Sequence, residues 1–337
     1  MSEAYAPTPL PWQKEDWELI QRTRRDDRLP HALLLSGPEG IGKRRFADAI
    51  AASFLCTSAE VDGSACGNCR GCELFRAGTH PDLKTIMPEA PGKAIRIDAI
   101  RDYTSKESLT AQAGGYKIVI VEPADAMNRS AANSLLKTLE EPVEWTFILL
   151  ISAQPERLPA TIRSRCRQLQ MKLPQRGLAV RWLAGEVDQM DPALLLSLAS
   201  GAPLRARALA DSELLGLRVK LLDEFAAIIE GKADPVAVAA SWNRLDPSLV
   251  VGWYSGWLTD CLRLKTDPGY VDLINPDQRN RLQEIGESIE FKRLFGYIDD
   301  AHRALLALGS QLNQQLMLES LLLPLAGSAP VIRDREK

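Results

Sequence analysis

Histidine is scarce in this sequence, long apolar runs are missing and net charge is close to zero, and each shortage removes a class of protein. Only three histidines occur among 337 residues; His31, His80 and His302 are scattered, with no catalytic partner in view, and read as structural. No stretch of about 18 uninterrupted apolar residues exists, so no helical membrane span is expected. The opening MSEAYAPTPLPWQKEDWE has neither a basic start nor an apolar signal core, and a cytoplasmic protein is expected. Lysine and arginine number 41 against 44 aspartates and glutamates, a net charge of −3, so no global positive field draws the chain to nucleic acid or an anionic membrane. Any contact with DNA is then local or shared with partners. Even the cluster Arg22, Arg24, Arg25 runs straight into Asp26 and Asp27 and reads as a solvated helix face. There is no repeat of fixed period and no low-complexity tract.

What is present is the composition of a globular protein, 45% apolar and 25% charged. The length suits two or three domains of about 100 to 200 residues each. After a polar helix over Lys14 to Arg24, the apolar run HALLL from His31 to Leu35 leads at once into SGPEGIGK. It is followed by RRFADAIAASFLC with Phe46, Ile50 and Phe54 at helical spacing, giving strand, glycine loop, helix. Further strands are expected at Ala94 to Ile97, Lys117 to Val121 and Thr146 to Ile151, separated by helices such as Ala131 to Glu140. Apolar strands alternating with helices argue for an α/β domain with a parallel, doubly covered sheet. Beyond Met171 the strand signals stop, and KLPQRG reads as a hinge into helices over Leu178 to Val187 and Pro192 to Ala199. From about Asp211 the pattern stays helical to Leu325, with breaks at Gly231 to Pro235, Asp246, Asp267 to Gly269 and Asn275. The expected division is a sheet domain over 1–171, a small helical domain over 172–210 and an all-helical domain over 211–337.

The run GPEGIGK, with Gly37, Gly40, Gly42 and Lys43, matches the first seven positions of GxxxxGK[S/T], between a strand and a helix as that phosphate loop requires. The eighth position, which should offer Mg²⁺ a hydroxyl, is Arg44, and a guanidinium cannot ligate a cation. The apolar strand KIVIV should end in Asp-Glu to hold magnesium and orient water. It ends instead in Glu122 and Pro123, with Asp125 displaced. Two requirements for hydrolysis fail independently, so Mg²⁺ is not expected; the loop either binds nucleotide passively through Lys43 or only shapes the turn.

Of six cysteines, Cys56, Cys66, Cys69 and Cys72 fall in one short stretch, spaced C-x9-C-x2-C-x2-C. In a reducing compartment such a cluster points to metal before disulfide. Four thiolates with Gly67 and Gly71 between them suit one tetrahedral Zn²⁺, a closed and therefore structural site. Unliganded thiols are the alternative. An iron–sulfur cluster is disfavoured by the compact spacing without a following Cys-Pro.

Four segments together, LPHALLLSGPEGIGK, the cysteine module with AGTHPD, AANSLLKTLEEP and ERLPATIRSRC, resemble bacterial clamp-loader subunits of the AAA+ class, the delta-prime family of DNA polymerase III in particular. The resemblance covers roughly Leu29 to Leu209. It implies an AAA+ P-loop domain with an inserted zinc module (56–72), a helical lid and a C-terminal collar. It also implies membership of a five-membered arc, with ATPase motor and delta-type subunits, that loads the sliding clamp onto primed DNA in DNA replication. By that resemblance Arg165, in Ser164-Arg165-Cys166, is an arginine finger acting in trans on a neighbour's ATP. Ser152 corresponds to a polar sensor and Arg205 to a second sensor. Lys137 and Glu141 fit helix capping or a subunit contact. The departures at Arg44, Glu122 and Pro123 suit a non-hydrolysing member, while the retained Gly42 and Lys43 leave nucleotide binding open. The competing readings are an active ATPase motor subunit in which Asp125 or Glu122 replaces the missing ligands, and a P-loop small-molecule kinase.

Overall fold

The computed structural model describes residues 7–90, 92–104, 111, 115–308 and 313–326. The ends of the expected first and third domains, 1–6 and 327–337, lie outside these residues. The chain packs as two compact units, one of residues 1–182 with 202–204, the other of 183–201 with 205–337.

The first unit is built on a five-stranded parallel sheet of β1 (Ala32–Ser36), β2 (Leu83–Ile86), β3 (Lys117–Val121), β4 (Thr146–Ser152) and β5 (Arg167–Gln170) in the order β2-β3-β4-β1-β5. Its register sets Leu34 beside Leu150 and Val119 beside Ile148. Because side chains alternate along a strand, the apolar runs split between two cores. Leu33, Leu35, Ile118, Ile120, Phe147 and Leu149 face one way, where Phe46, Ile50 and Phe54 of α2 (Lys43–Leu55) cover them. Leu34, Val119, Val121, Ile148 and Leu150 face the other, under Ala131, Leu135 and Leu139 of helix Arg129–Glu140. This is the AAA+ P-loop arrangement the resemblance implies, with the glycine loop following β1 at the carboxyl ends of the central strands.

One strand expectation needs correction, and two strands were not expected. Ala94 to Ile97 is not a strand; Ile95 alone makes a bridge, to Met127, and Ile97 opens helix Ile97–Thr104. Only Ile95 of those four residues is buried, so no second core position sustains a strand. The sheet's two edges are instead LKTI (β2) and RQLQ (β5), the latter lying beyond KIVIV and TFILLI in the sequence but before Met171. Both are edge strands with exposed polar residues, so neither reads as an apolar run.

The second unit has no strand among its described residues. Three of its helices start where Asp-Pro or Asp-Ser pairs place a cap: Asp211 accepts from the N–H groups of Glu213 and Leu214, Asp234 from Val236, and Asp246 from Ser248, with Pro235 and Pro247 at the first helical turn. The core gathers Phe225, Trp242, Tyr254 and Trp257, with Phe225 and Tyr254 edge to face at 5.6 Å. No helix among the described residues is long and apolar enough to cross a membrane.

Candidate functional site

The turn from β1 into α2 carries Gly37, Gly40 and Gly42 at φ +143°, +75° and +91°, the left-handed region that glycine tolerates. At Gly42 a side chain is also sterically excluded: a Cβ would come within 2.4 Å of Leu10 Cδ1. Leu10 belongs to a segment that clasps the loop from outside. Trp12 Nε1 donates to the Ile41 carbonyl at 2.9 Å and Gln13 Nε2 to the Gly42 carbonyl at 2.9 Å. The Leu204 N–H donates to the Gly40 carbonyl at 2.9 Å. This clasp has no sequence signature, since its residues lie some thirty positions before the loop.

Lys43 is buried, and its ammonium donates to the loop's own carbonyls, Gly37 O at 2.7 Å and Pro38 O at 2.6 Å. Burial lowers its pKa, against the pull of Glu39, Glu122 and Asp125. Arg44 occupies the position from which a hydroxyl would reach magnesium. Its Nη1 lies 2.8 Å from Glu122 Oε2 at the end of β3 and its Nε 2.9 Å from Asp48 Oδ1. Burial alone would lower the guanidinium's pKa, yet Asp48 and Glu122 together raise it. Ser152, fully buried at the end of β4, donates its hydroxyl to Asp125 and accepts from the Gln154 N–H at 3.1 Å. The loop residues, Arg44, Glu122, Asp125 and Ser152 thus form one polar cluster at the carboxyl edge of the sheet.

Arg165 stands in a different setting. It follows the short helix Ala160–Arg163, with Ile162 and Cys166 buried on either side, and burial pushes the Cys166 thiol up to about 12. Arg165 Nη2 lies 2.8 Å from Glu140 Oε1 and Nη1 donates to the Thr161 carbonyl at 3.0 Å, while the side chain stays 37% exposed. Of the carboxylates in LLKTLEEP, Glu140 makes this contact; Glu141 caps the helix through its N–H to the Lys137 carbonyl. Arg205 belongs to the second unit, where it lines a cavity of about 270 Å³ with Gly252, Ser255 and His302.

The four cysteines converge at the end of α2, their Sγ atoms all within 4.8 Å of one another. Cys56 Sγ is 3.5 Å from Cys66 and 3.7 Å from Cys69. A tetrahedron of Zn–S bonds of about 2.3 Å has edges of about 3.8 Å, so the donor set fits one Zn²⁺ with no open position. Partial burial works against ionisation of Cys69, but hydrogen bonds from Thr57 and Cys72 bring its thiol down to about 5. Burial raises Cys56 and Cys72. Gly71 sits where a Cβ would be 2.2 Å from the Leu55 carbonyl, so the ligand-bearing turn packs directly on the end of α2. Gly71→Ala is expected to weaken zinc retention about 10- to 100-fold, the usual cost of disturbing a metal site's support, in competition with a chromogenic chelator. The AGTHPD segment then ties the module to the sheet. His80 Nδ1 accepts from the Asp82 N–H at 3.1 Å, and Asp82 lies 3.8 Å from Lys117 at the start of β3. His80 is thus structural, as its isolation in sequence suggests.

Sequence comparison agrees with this architecture over both units. The family model for DNA polymerase III, delta subunit, matches residues 12–175, and that for its C-terminal region matches 212–326. DNA polymerase III subunit delta′ of Pseudomonas aeruginosa is 38% identical over 317 residues, spanning 93% of this chain and 95% of that one. The corresponding subunit of Escherichia coli is 35% identical over 317 residues, spanning 93% and 94%. A solved structure of a DNA polymerase III gamma subunit-related protein from Thermotoga maritima shares 18% identity, covering 94% of this chain and 99% of its own, with a TM-score of 0.46. With relatives matched along nearly their whole length at this identity, the chain belongs to the delta′ subunit family of DNA polymerase III.

Proposed function

We propose that this chain is a non-hydrolysing subunit of the DNA polymerase III clamp loader, helping to place the sliding clamp on primed DNA, and that Arg165 serves ATP hydrolysis in a neighbouring motor subunit. The observation that carries the first part is the ion pair of Arg44 with Glu122. A hydrolytic P-loop needs a hydroxyl and a carboxylate to hold Mg²⁺ beside the phosphates. Here a cation of the protein itself takes up the carboxylate at 2.8 Å. The other candidate carboxylate, Asp125, accepts the Ser152 hydroxyl. Glu39, Glu122 and Asp125 all act on the Lys43 ammonium, so a triphosphate without its metal meets carboxylate charge around the loop. Passive nucleotide occupancy is not needed for the role.

The second part rests on Arg165. Such a finger needs an anchored arginine whose side chain is open to a partner; buried Ile162 and Cys166 anchor the backbone on either side of Arg165, and its side chain is 37% exposed. Under this reading residues 172–210 act as the lid and 211–337 as the collar of one member of a five-membered arc. Ser152 and Arg205 stand in the sensor positions without sensing, and the assembly works in the cytoplasm with motor and delta-type subunits.

The test is turnover by the isolated, metal-loaded chain with Mg²⁺ and ATP, with and without primed DNA. Background turnover, unchanged by Lys43→Ala, is expected. Robust hydrolysis lost in Lys43→Ala would make the chain itself a motor, and phosphoryl transfer to a small molecule would make it a kinase.

A further inference from the structure

We infer that Glu140 is a positioning residue for Arg165, holding the guanidinium ready for the neighbour's phosphates; the inference rests on the finger reading above. The two residues are 25 apart in sequence and come from separately anchored elements. Glu140 ends the helix Arg129–Glu140, whose Ala131, Leu135 and Leu139 are buried against the sheet. Arg165 is flanked by Ile162 and Cys166, buried in that same core. Both backbones are therefore fixed, and the space between them is bridged by one contact of 2.8 Å.

The arrangement restrains the guanidinium while leaving much of it unused. A guanidinium has five N–H donors. Glu140 takes one on Nη2 and the Thr161 carbonyl one on Nη1, which leaves three on a side chain that is 37% exposed. A free arginine side chain carries about 2 kcal/mol of rotamer entropy. Settling that entropy before the neighbour's ATP arrives lowers the cost of orientation in the transition state. The Glu140 side chain is 49% exposed, so water screens its charge and it steers the arginine without cancelling it. The same exposure makes the pair nearly worthless as a stabilising ion pair, since such pairs contribute about 0 to 1 kcal/mol. A structural role and a positioning role thus make opposite forecasts for Glu140→Ala.

The experiment uses the reconstituted clamp loader in which the motor subunit beside this chain is the only one retaining its phosphate-loop lysine. Glu140→Ala should lower kcat about threefold to fivefold with KM for ATP and the size of the assembly unchanged. Glu140→Gln, which keeps the carbonyl acceptor, should restore most of the rate. In an Arg165→Ala background, Glu140→Ala should cost nothing further, because it acts only through the arginine. An unchanged kcat in Glu140→Ala, or an equal loss on top of Arg165→Ala, overturns the inference and leaves the finger reading standing. No effect of Arg165→Ala itself overturns both.

Discussion

Arg165→Ala is expected to slow ATP hydrolysis at the neighbouring motor site by about 10³- to 10⁵-fold, the range over which arginine fingers act, while the chain stays folded and in the complex. The size of the effect follows from where charge develops. The transferring phosphoryl group spreads negative charge over its oxygens, and a fixed guanidinium stabilises that charge in a site from which water is excluded. The fold survives because the arginine's own bonds are few and exposed. Only the half-exposed pair with Glu140 and one bond to the Thr161 carbonyl disappear, and Ile162 and Cys166 keep their places in the core. Arg165→Lys keeps the charge but loses the planar fork, so it should recover part of the rate and not all of it. Single-turnover hydrolysis in an assembly with one competent motor site measures both variants. A rate within twofold of the parent for Arg165→Ala would leave the SRC arginine as a surface ion pair.

The elements that were legible in the sequence are those whose chemistry is local. ALLL, IVIV and FILLI are buried on both faces and read as strands because every position in them is apolar. The four cysteines announce themselves by spacing, and Arg44 stands visibly where the phosphate-loop motif calls for a hydroxyl. What the sequence hid is pairing across distance. Arg44 and Glu122, 78 positions apart, meet only because α2 lies over the sheet and β3 ends beneath it. From sequence each reads as a departure from the motif, whereas in the fold the two are partners in one ion pair. Glu140 stayed hidden for the same reason: its neighbour Glu141 looks equivalent in LLKTLEEP, and only the helix phase decides which carboxylate faces Arg165. The edge strands LKTI and RQLQ were illegible because their exposed positions carry charge and amide groups, while the lone buried Ile95 imitated a strand that has no second core residue.

Metal removal should have the second large effect, and a confined one. Protein prepared without chelator is expected to carry about one zinc per chain, and Cys69→Ser or a strong chelator should release it. Structural zinc sites in small modules are worth about 10 to 16 kcal/mol of apparent binding free energy near neutral pH. The module's apolar core is small. Its own apolar cluster is Ala52, Cys56, Ala65 and Cys72, with Cys66, Cys69 and Phe75 against it, so the ligands are most of the core. Without metal, that cluster cannot offset the ordering cost of the glycine-rich turns. The loss should stop at the anchors on either side. Trp17 Nε1 donates to the Asp62 carbonyl at 3.0 Å, and Asp82 and Lys117 fix the exit into β2 and β3. Amide hydrogens of residues 64–76 should therefore exchange freely in the metal-free protein, while β1, β4 and the second unit keep their protection. Uptake also requires all four thiols to lose protons. Hydrogen bonds favour the thiolate at Cys69, but burial holds the protons on Cys56 and Cys72, so zinc binding should release protons and weaken as the pH falls. Finding no metal, or unchanged exchange after chelation, would leave four reduced cysteines whose convergence has another cause; weaker binding at lower pH together with exchange confined to residues 64–76 would identify a closed zinc clasp that shapes the module and leaves the phosphate loop untouched.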